Sequence, residues 1–382
     1  MSASNYKALA IRYRPKVFSE IVGHDVIKKV FVNAINLNRV HHAFLLTGTR
    51  GVGKTTIARI LALSLNCSKF DAPTTKPCLE CANCKQIIDG SHPDVVEFDA
   101  ASKTGVDSVR EIIDSSAYAP MMSRYKIYII DEVHMLSKGA FNALLKTVEE
   151  PVNGVKFIFA TTELRKVPVT IMSRCQKFIL GNLSISEIKS YLEYIAKEEN
   201  LNTEDSALDL IAKYANGSVR DALSLLDQVI SVSDNKMVLS KDVSDILAMP
   251  EFQSVVELLD AVLSDNIVVS LRCASSINTN TSDTEYVVSV ILYIISDLIK
   301  AVCVNAKLSD VLISNLYKKH EDKMKMPFLI RMWEMISSSM KNIKFIDAEQ
   351  FLDMLCIKII YTNKLPTPNE IINVAIGKRN SS

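Results

Sequence analysis

Residues 43–56 read AFLLTGTRGVGKTT, and this stretch decides the fold. Phe44, Leu45 and Leu46 make the apolar run of a buried strand. The run breaks at Gly48-Thr49-Arg50-Gly51-Val52-Gly53-Lys54-Thr55, which matches G-x-x-x-x-G-K-[ST]. Thr56 then leads into helical spacing at Ile57, Ile60 and Leu61. Strand, glycine loop and helix in that order are the context the pattern requires. Glycines let consecutive N–H groups point inward around phosphate oxygens. The helix beginning near Lys54 adds the positive end of its dipole. Lys54 is expected to neutralise the β and γ phosphates, and the Thr55 hydroxyl to ligate Mg²⁺. The sequence therefore predicts a nucleoside triphosphate site.

A second half of that site lies further on. Residues 126–131 (KIYIID) form a β-rich run ending in Asp131-Glu132-Val133-His134. An acidic pair at the carboxyl end of a buried strand is where an open α/β sheet carries its ligand chemistry. Asp131 can hold Mg²⁺ directly or through water, and Glu132 can polarise the attacking water. Residues 156–161 (KFIFAT) read as another strand leading into Thr161-Thr162-Glu163. If the two strands are neighbours, a threonine hydroxyl there can sense the γ-phosphate or orient water. A threonine capping the next loop fits the sequence equally well. Arg174 is an isolated cation before a short strand at 176–180 and, on spacing alone, pairs with a surface acid.

Cys67, Cys78, Cys81 and Cys84 include a C-x2-C-x2-C run among Pro73, Pro77 and polar residues, an excursion from the sheet. Four thiolates so spaced can close a tetrahedral Zn²⁺ site of structural role, with Cys67 arriving from the end of the glycine-loop helix. The same donors also serve iron–sulfur clusters, and free thiols are the plain alternative.

Composition bounds the rest. At 382 residues and 48% hydrophobic, the chain is long enough for two or three domains with their own cores. A net charge of +1 means that nucleic-acid contact must come from a local basic patch. The N-terminus lacks the apolar region of a signal peptide, and the apolar run at 286–295 is too short and interrupted to span a bilayer and reads as a buried core helix. Eight cysteines without a secretory signal point to thiols or metal ligation and to a cytoplasmic protein.

Residues 6–15, ending Arg12-Tyr13-Arg14-Pro15, mix basic and aromatic character that could line a purine pocket or form a surface strap. In residues 20–38, Val26, Val30 and Ala34 recur at helical spacing with Asp25 as a candidate N-cap. His41 and His42 are expected to diverge, as adjacent residues on a strand do. A helix is expected over 102–116, and one capped by Ser137 runs to Glu149. From Asn182 strands are expected to give way to helices, with three short ones at 186–200, 205–215 and 218–230. Ser218 and Asp221 have capping-box spacing, and Arg220 opposes the helix dipole there, so an anion is expected beside it: a phosphate, Asp221 or another acid. Residues 231–236 are a polar break. Helical patterns continue to about 362, interrupted by a polar loop at 276–284, and the methionines of 324–340 read as core. The predicted organisation is an α/β domain over 1–180 with its metal module at 67–84, a helical domain over 181–235, an all-α domain over 236–365 and a flexible tail over 366–382.

GTRGVGKT, the four-cysteine cluster, DEVHML, FNALLKTVEEP, FATTE, PVTIMSRCQKF and GSVRDALSLLDQ occur here in order. Together they resemble the gamma/tau subunits of the bacterial DNA polymerase III clamp loader, a family of AAA+ ATPases. The likeness is strong over 6–230 and weak beyond. It implies a RecA-like P-loop domain with a zinc-binding insertion, a helical lid and an all-α collar that joins subunits in a ring. By similarity, ATP binds Gly48 to Thr56, Thr161 or Thr162 is a first sensor, Arg220 a second sensor from the lid, and Arg174 an arginine finger in a neighbour's site. The implied partners are the delta and delta-prime subunits, other copies of this chain, the sliding clamp and primer–template DNA, within the DNA-directed DNA polymerase holoenzyme of the replisome. ATP binding would open the clamp and grip DNA, and hydrolysis would release both. Long family members continue into domains that bind polymerase and helicase, and this sequence stops soon after the collar, which leaves tethering of the polymerase core open. Two rival readings are a non-hydrolysing structural subunit of the same assembly and an AAA+ remodeller of proteins. The intact Gly53-Lys54-Thr55 and Asp131-Glu132 weigh against the first, and the zinc excursion and Ser173-Arg174-Cys175 against the second.

Overall fold

The apolar runs become five parallel strands, β1 (Ala43–Thr47), β2 (Val95–Asp99), β3 (Lys126–Asp131), β4 (Val155–Thr161) and β5 (Gln176–Ile179), in the order β2-β3-β4-β1-β5. This computed structural model describes residues 7–363 except 103, 234–236, 248–251, 281–283, 305–307 and 309. The expected tail at 366–382 lies outside the described residues, as do Tyr6 and the end of the polar break at 231–236. Contacts divide the chain after Val243 into two units.

In the first unit the helices are α1 (Leu9–Arg12), α2 (Asp25–Asn36), α3 (Lys54–Asn66), α4 (Ala82–Asp89), α5 (Val106–Ser116), α6 (Lys138–Glu149) and α7 (Val169–Met172). Strand periodicity splits the core in two. Phe44, Leu46, Ile127 and Ile129 meet α2 and α3 on one face; Ala43, Leu45, Tyr128 and Ile130 meet α5 and α6 on the other. Burial on both faces explains why these strands read as continuous apolar runs. Register aligns Thr47 with Thr161 and Asp99 with Asp131, so the carboxyl ends of the strands form one edge.

Several expectations are corrected. The buried face of α2 is Ile27, Phe31 and Ile35, one position on from Val26, Val30 and Ala34, and Val26 is 75% exposed. Both sets have the i, i+4 spacing, but the larger set fills the core, with Phe31 against Phe18, Phe44 and Phe178. Each such side chain turned outward would cost roughly 1.5–3 kcal/mol. The N-cap of α2 is His24, in a left-handed conformation, rather than Asp25. His41 and His42 do not diverge: they precede β1, and their rings stack at 4.2 Å. α5 begins at Val106 rather than 102, behind Gly105.

The first unit continues with α8 (Ile185–Glu198), α9 (Asp205–Tyr214) and α10 (Val219–Val232). The complete capping box is at Ser184 and Glu187, while Ser218 caps α10 by accepting from Asp221 N alone. Strands do not vanish here. β6 (Asn202–Thr203) pairs in parallel with β7 (Met237–Val238). α11 (Ser240–Ile246) follows.

The second unit is helical: α12 (Phe252–Leu263), α13 (Ile267–Asn280), α14 (Thr284–Val304), α15 (Val311–Lys319), α16 (Met326–Ser339) and α17 (Ala348–Asn363). α13 runs through Asn280, into the segment expected as a polar loop. α14 has 21 residues, longer than the apolar run at 286–295, and by length and composition alone could cross a membrane. It is the buried core helix expected there: Val287, Val288, Ile291, Ile294 and Ile295 lie in this unit's core with Leu259, Leu329 and Ile336. Met324 and Met332 are core residues, as expected.

Candidate functional site

The loop from β1 to α3 turns on Gly51 (φ +77°) and Gly53 (φ +108°), backbone angles that favour glycine. At Gly51 a Cβ would also stand 1.9 Å from Ser218 Oγ and 3.4 Å from Arg220 Cβ, so the first turn of α10 rests on this loop. Thr49 Oγ1 donates to Asn182 Oδ1 at 2.7 Å beside it. Lys54 is buried, and its Nζ donates to the carbonyls of Gly48 and Thr49 at 2.8 Å each. Burial lowers its pKa, partly offset by Glu132 and Asp131.

The acidic half meets this loop directly. Thr55 Oγ1 donates to Asp131 Oδ2 at 2.7 Å. Glu132, at the end of β3, accepts from Thr162 N and Oγ1 at 3.1 and 3.0 Å. Thr161 is fully buried and its hydroxyl is hydrogen-bonded to His134 Nδ1 at 3.0 Å. The structure thus brings Gly48 to Thr56, Asp131, Glu132, Thr161, Thr162 and Arg220 to one edge of the sheet. Arg220 is exposed, and among the described residues no acid pairs with it, Asp221 included.

Arg174 is elsewhere. It stands just before β5, at the amino end of the sheet, where its guanidinium donates to Glu149 Oε1 at 2.7 Å and Thr170 O at 2.8 Å. The surface acid that spacing suggested is Glu149.

Two residues join the site beyond the roles that the sequence assigns: Arg14 belongs to a stretch that reads as a purine pocket or surface strap, and His134 is given no role. Arg14 donates from Nε to Thr56 Oγ1 at 3.2 Å. Burial pushes its pKa down to about 10, and the charges of Arg59 and Arg220 push the same way, so it stays charged at neutral pH but poorly solvated. It is held there because α1 is tied to α8 and α10: Arg12 pairs with Glu199 at 2.5 Å, and Leu9 N donates to Asp227 at 3.2 Å. The other is His134, whose ring sits between Glu132, Thr161 and Glu163. Its signal was the fourth letter of DEVH, next to the acidic pair.

The four cysteines converge where α3 ends. The sulfur atoms of Cys67, Cys78, Cys81 and Cys84 all lie within 4.8 Å of one another. Four sulfurs at about 2.3 Å from a zinc ion stand about 3.8 Å apart, so the set fits tetrahedral Zn²⁺. Amides support the thiolates: Cys78 N, Cys81 N and Cys84 N donate to Cys67, Cys78 and Cys81 Sγ at 3.4, 3.3 and 3.4 Å. Burial raises the Cys81 pKa, but hydrogen bonds from Ser68 and the Cys84 amide outweigh it and bring the thiol down to about 6. Burial pushes Cys84 up. Arg124, next to β3, fastens the module to the sheet by donating to the carbonyls of Leu65, Cys67 and Phe70.

Comparison with known proteins follows the chain in three segments. Residues 23–184 match the family described as DNA polymerase III, delta subunit; 187–235 match the DNA polymerase III clamp loader subunit, ATPase lid domain; and 238–374 match DNA polymerase III subunits gamma and tau domain III. DNA polymerase III subunit gamma of Buchnera aphidicola subsp. Acyrthosiphon pisum is 41% identical over 361 residues, 93% of this chain and 99% of that protein. DNA polymerase III subunit tau/gamma of Haemophilus influenzae is 47% identical over 268 residues, 70% of this chain; the chain spans 38% of that relative's length. Among solved structures, the RuvB Holliday junction branch migration motor of Thermotoga maritima is 20% identical with a TM-score of 0.46, over 65% of this chain and 79% of that one.

Proposed function

This chain belongs to the gamma/tau family of DNA polymerase III clamp-loader subunits, and we propose that it works there as the ATP-driven motor. In this reading, residues 1–180 are the ATPase domain, 181–235 its lid and 236–365 the collar through which subunits associate. The observation that carries the ATPase assignment is the 2.7 Å hydrogen bond from Thr55 to Asp131, which joins two halves of the site 76 residues apart in sequence.

ATP lies along the glycine loop, with the amides of Gly48 to Thr56 and the N-terminus of α3 facing its phosphates. Lys54 exchanges the carbonyls of Gly48 and Thr49 for the β and γ phosphates, and the exposed Arg220 and poorly solvated Arg14 gain an anion. Thr55 and Asp131 would hold Mg²⁺, which supplies charge neutralisation between the phosphates. Glu132 polarises the attacking water, Thr161 senses the γ-phosphate, and Arg220 reports it to the lid. Arg174 serves the site of a neighbouring subunit, because the nucleotide loop of its own chain is at the opposite end of the sheet. Zn²⁺ on Cys67, Cys78, Cys81 and Cys84 is structural. The partners are the delta and delta-prime subunits, other copies of this chain, the sliding clamp and primer–template DNA in a cytoplasmic replisome.

Lys54→Ala tests this. It removes charge-assisted hydrogen bonds worth about 1.5–3 kcal/mol each, so ATP affinity should fall and clamp loading vanish while the fold persists. In a reconstituted complex the parent's ATPase should rise on adding clamp and primed DNA together. A parent that shows no such rise is a structural subunit instead.

A further inference from the structure

Glu132 is not free to act alone. Its Oε2, held by the amide and hydroxyl of Thr162, is also 3.3 Å from Nδ1 of His134. Its backbone is left-handed (φ +46°), a conformation that costs a residue with a Cβ and persists where surroundings enforce it. His134 lies two residues on, in the single 3-10 turn Val133–Met135, and its side chain is only 6% exposed. The same Nδ1 meets Thr161 Oγ1 at 3.0 Å, and Nε2 faces Glu163 Oε1 at 3.5 Å. Thr161 in turn accepts from Glu163 N at 3.0 Å, and Lys166 pairs with Glu163 at 2.8 Å. One buried imidazole therefore touches groups from the ends of both β3 and β4. It makes no hydrogen bond to Lys54, Thr55 or the glycine loop among the described residues.

We propose that His134 is a positioning residue that fixes the Glu132 carboxylate and the Thr161 hydroxyl relative to each other; the proposal rests on the ATPase reading above. A rigid ring with two χ angles, packed on all sides, sets that spacing more tightly than two flexible side chains on separate strands. Displacing a catalytic group by about 1 Å costs on the order of 10²-fold in rate. The effect therefore falls on turnover, while ATP binding, made by other residues, is spared.

Three variants of the full chain, measured in the reconstituted complex with clamp and primed DNA, test it. His134→Ala should lower kcat about 10- to 100-fold with ATP affinity changed less than about twofold. His134→Asn, which keeps a polar atom near the Nδ1 position, should recover most of that rate. His134→Gln, which keeps one near Nε2, should not. Unchanged kcat in His134→Ala, equal rescue by Asn and Gln, or rates that simply follow melting temperature across the three would overturn the proposal. A second measurement is independent of turnover. The chain has six histidines, and the ¹⁵N imidazole signals that disappear in His134→Asn should shift in Glu132→Gln and in Thr161→Val. Signals indifferent to both changes refute the assignment. A parent that hydrolyses no more ATP than Lys54→Ala refutes the ATPase reading instead.

Discussion

The two ends of the parallel sheet treat their charges in opposite ways. At the amino end, Asp94 is fully buried and accepts four hydrogen bonds, from the amides of Met121, Met122 and Ser123 and the Ser123 hydroxyl, at 2.7 to 3.0 Å. Arg124 beside it satisfies three carbonyls, and Asn66 exchanges two hydrogen bonds with the Tyr125 backbone. At the carboxyl end, among the described residues, Lys54 has the glycine loop's own carbonyls, Arg14 a neutral hydroxyl, and no acid pairs with Arg220. A buried charge whose hydrogen bonds are complete stabilises the fold and can take no ligand. Cations hydrogen-bonded only to neutral acceptors keep donors to give an anion. Chemistry belongs at the second end and rigidity at the first.

The largest expected effect tests whether the amino end of one subunit completes the carboxyl end of another. Arg174→Ala should lower turnover roughly 10³- to 10⁵-fold, because an arginine finger stabilises charge that develops on the transferred phosphoryl group. ATP affinity should change far less, since that benefit belongs to the transition state. Arg174→Ala and Lys54→Ala chains, each inactive alone, should recover partial activity when co-assembled, wherever an intact glycine loop faces an intact arginine. Differentially tagged mixed complexes as inactive as their parents would place the arginine in its own subunit's site.

A smaller effect should follow from opening the closed end. Asp94→Asn sets amide hydrogens against the donors that now surround a carboxylate. It should cost about 3 kcal/mol of stability by urea unfolding. The pH dependence follows from the same contacts. Burial by itself would raise the Asp94 pKa, but the amides of Met121, Met122 and Ser123 outweigh it and hold the carboxyl below its ordinary value. Its contribution is present above the unfolded-state value of about 3.9 and is lost as pH falls through the lower folded value. The Asn variant should lack that share of the acid-induced loss. A variant as stable as the parent would mean that the amino end is not held in this way.

The smallest effect is that of the metal module on the nucleotide site. Elemental analysis should give about one Zn²⁺ per parent chain and little in Cys81→Ser. The 67–84 excursion should lose protection from hydrogen exchange in that variant, yet ATP affinity should move less than about twofold, because no zinc ligand contacts the glycine loop. Iron in protein purified without air would support a cluster in place of zinc. A large loss of ATP affinity would mean that the two ends of the sheet are coupled and that the contrast between them fails.

Much of this was legible because it is local. The glycine loop needs Gly51 and Gly53 for backbone angles and Lys54 and Thr55 for charge and hydroxyl, all within eight residues, so the letters suffice. The strands were legible because burial on both faces leaves unbroken apolar runs. The phase of α2 was not, since Val26, Val30 and Ala34 and Ile27, Phe31 and Ile35 fit the same helical period. Only the aromatic cluster of Phe18, Phe44 and Phe178 selects between them. α14 was legible as a core helix from its apolar run, although its full length of 21 residues was not, because the run at 286–295 is only part of it.

Sequence alone determined the sheet, the glycine loop, the acidic pair and the four-cysteine set, since each is fixed by residue type at short spacing. Tertiary structure decided what lies across gaps in the chain. It put Arg14 on Thr56, 42 residues away, and Ser218 against Gly51. It gave Thr161 to His134 and Thr162 to Glu132, a division that two adjacent and identical letters cannot express. It also set Arg174 at the end of the sheet remote from its own nucleotide loop. The physical reason is the same in each case. Covalent spacing fixes which backbone angles and which side of a helix or strand a residue takes, but the partner of a buried polar group is chosen by the packing of several elements at once.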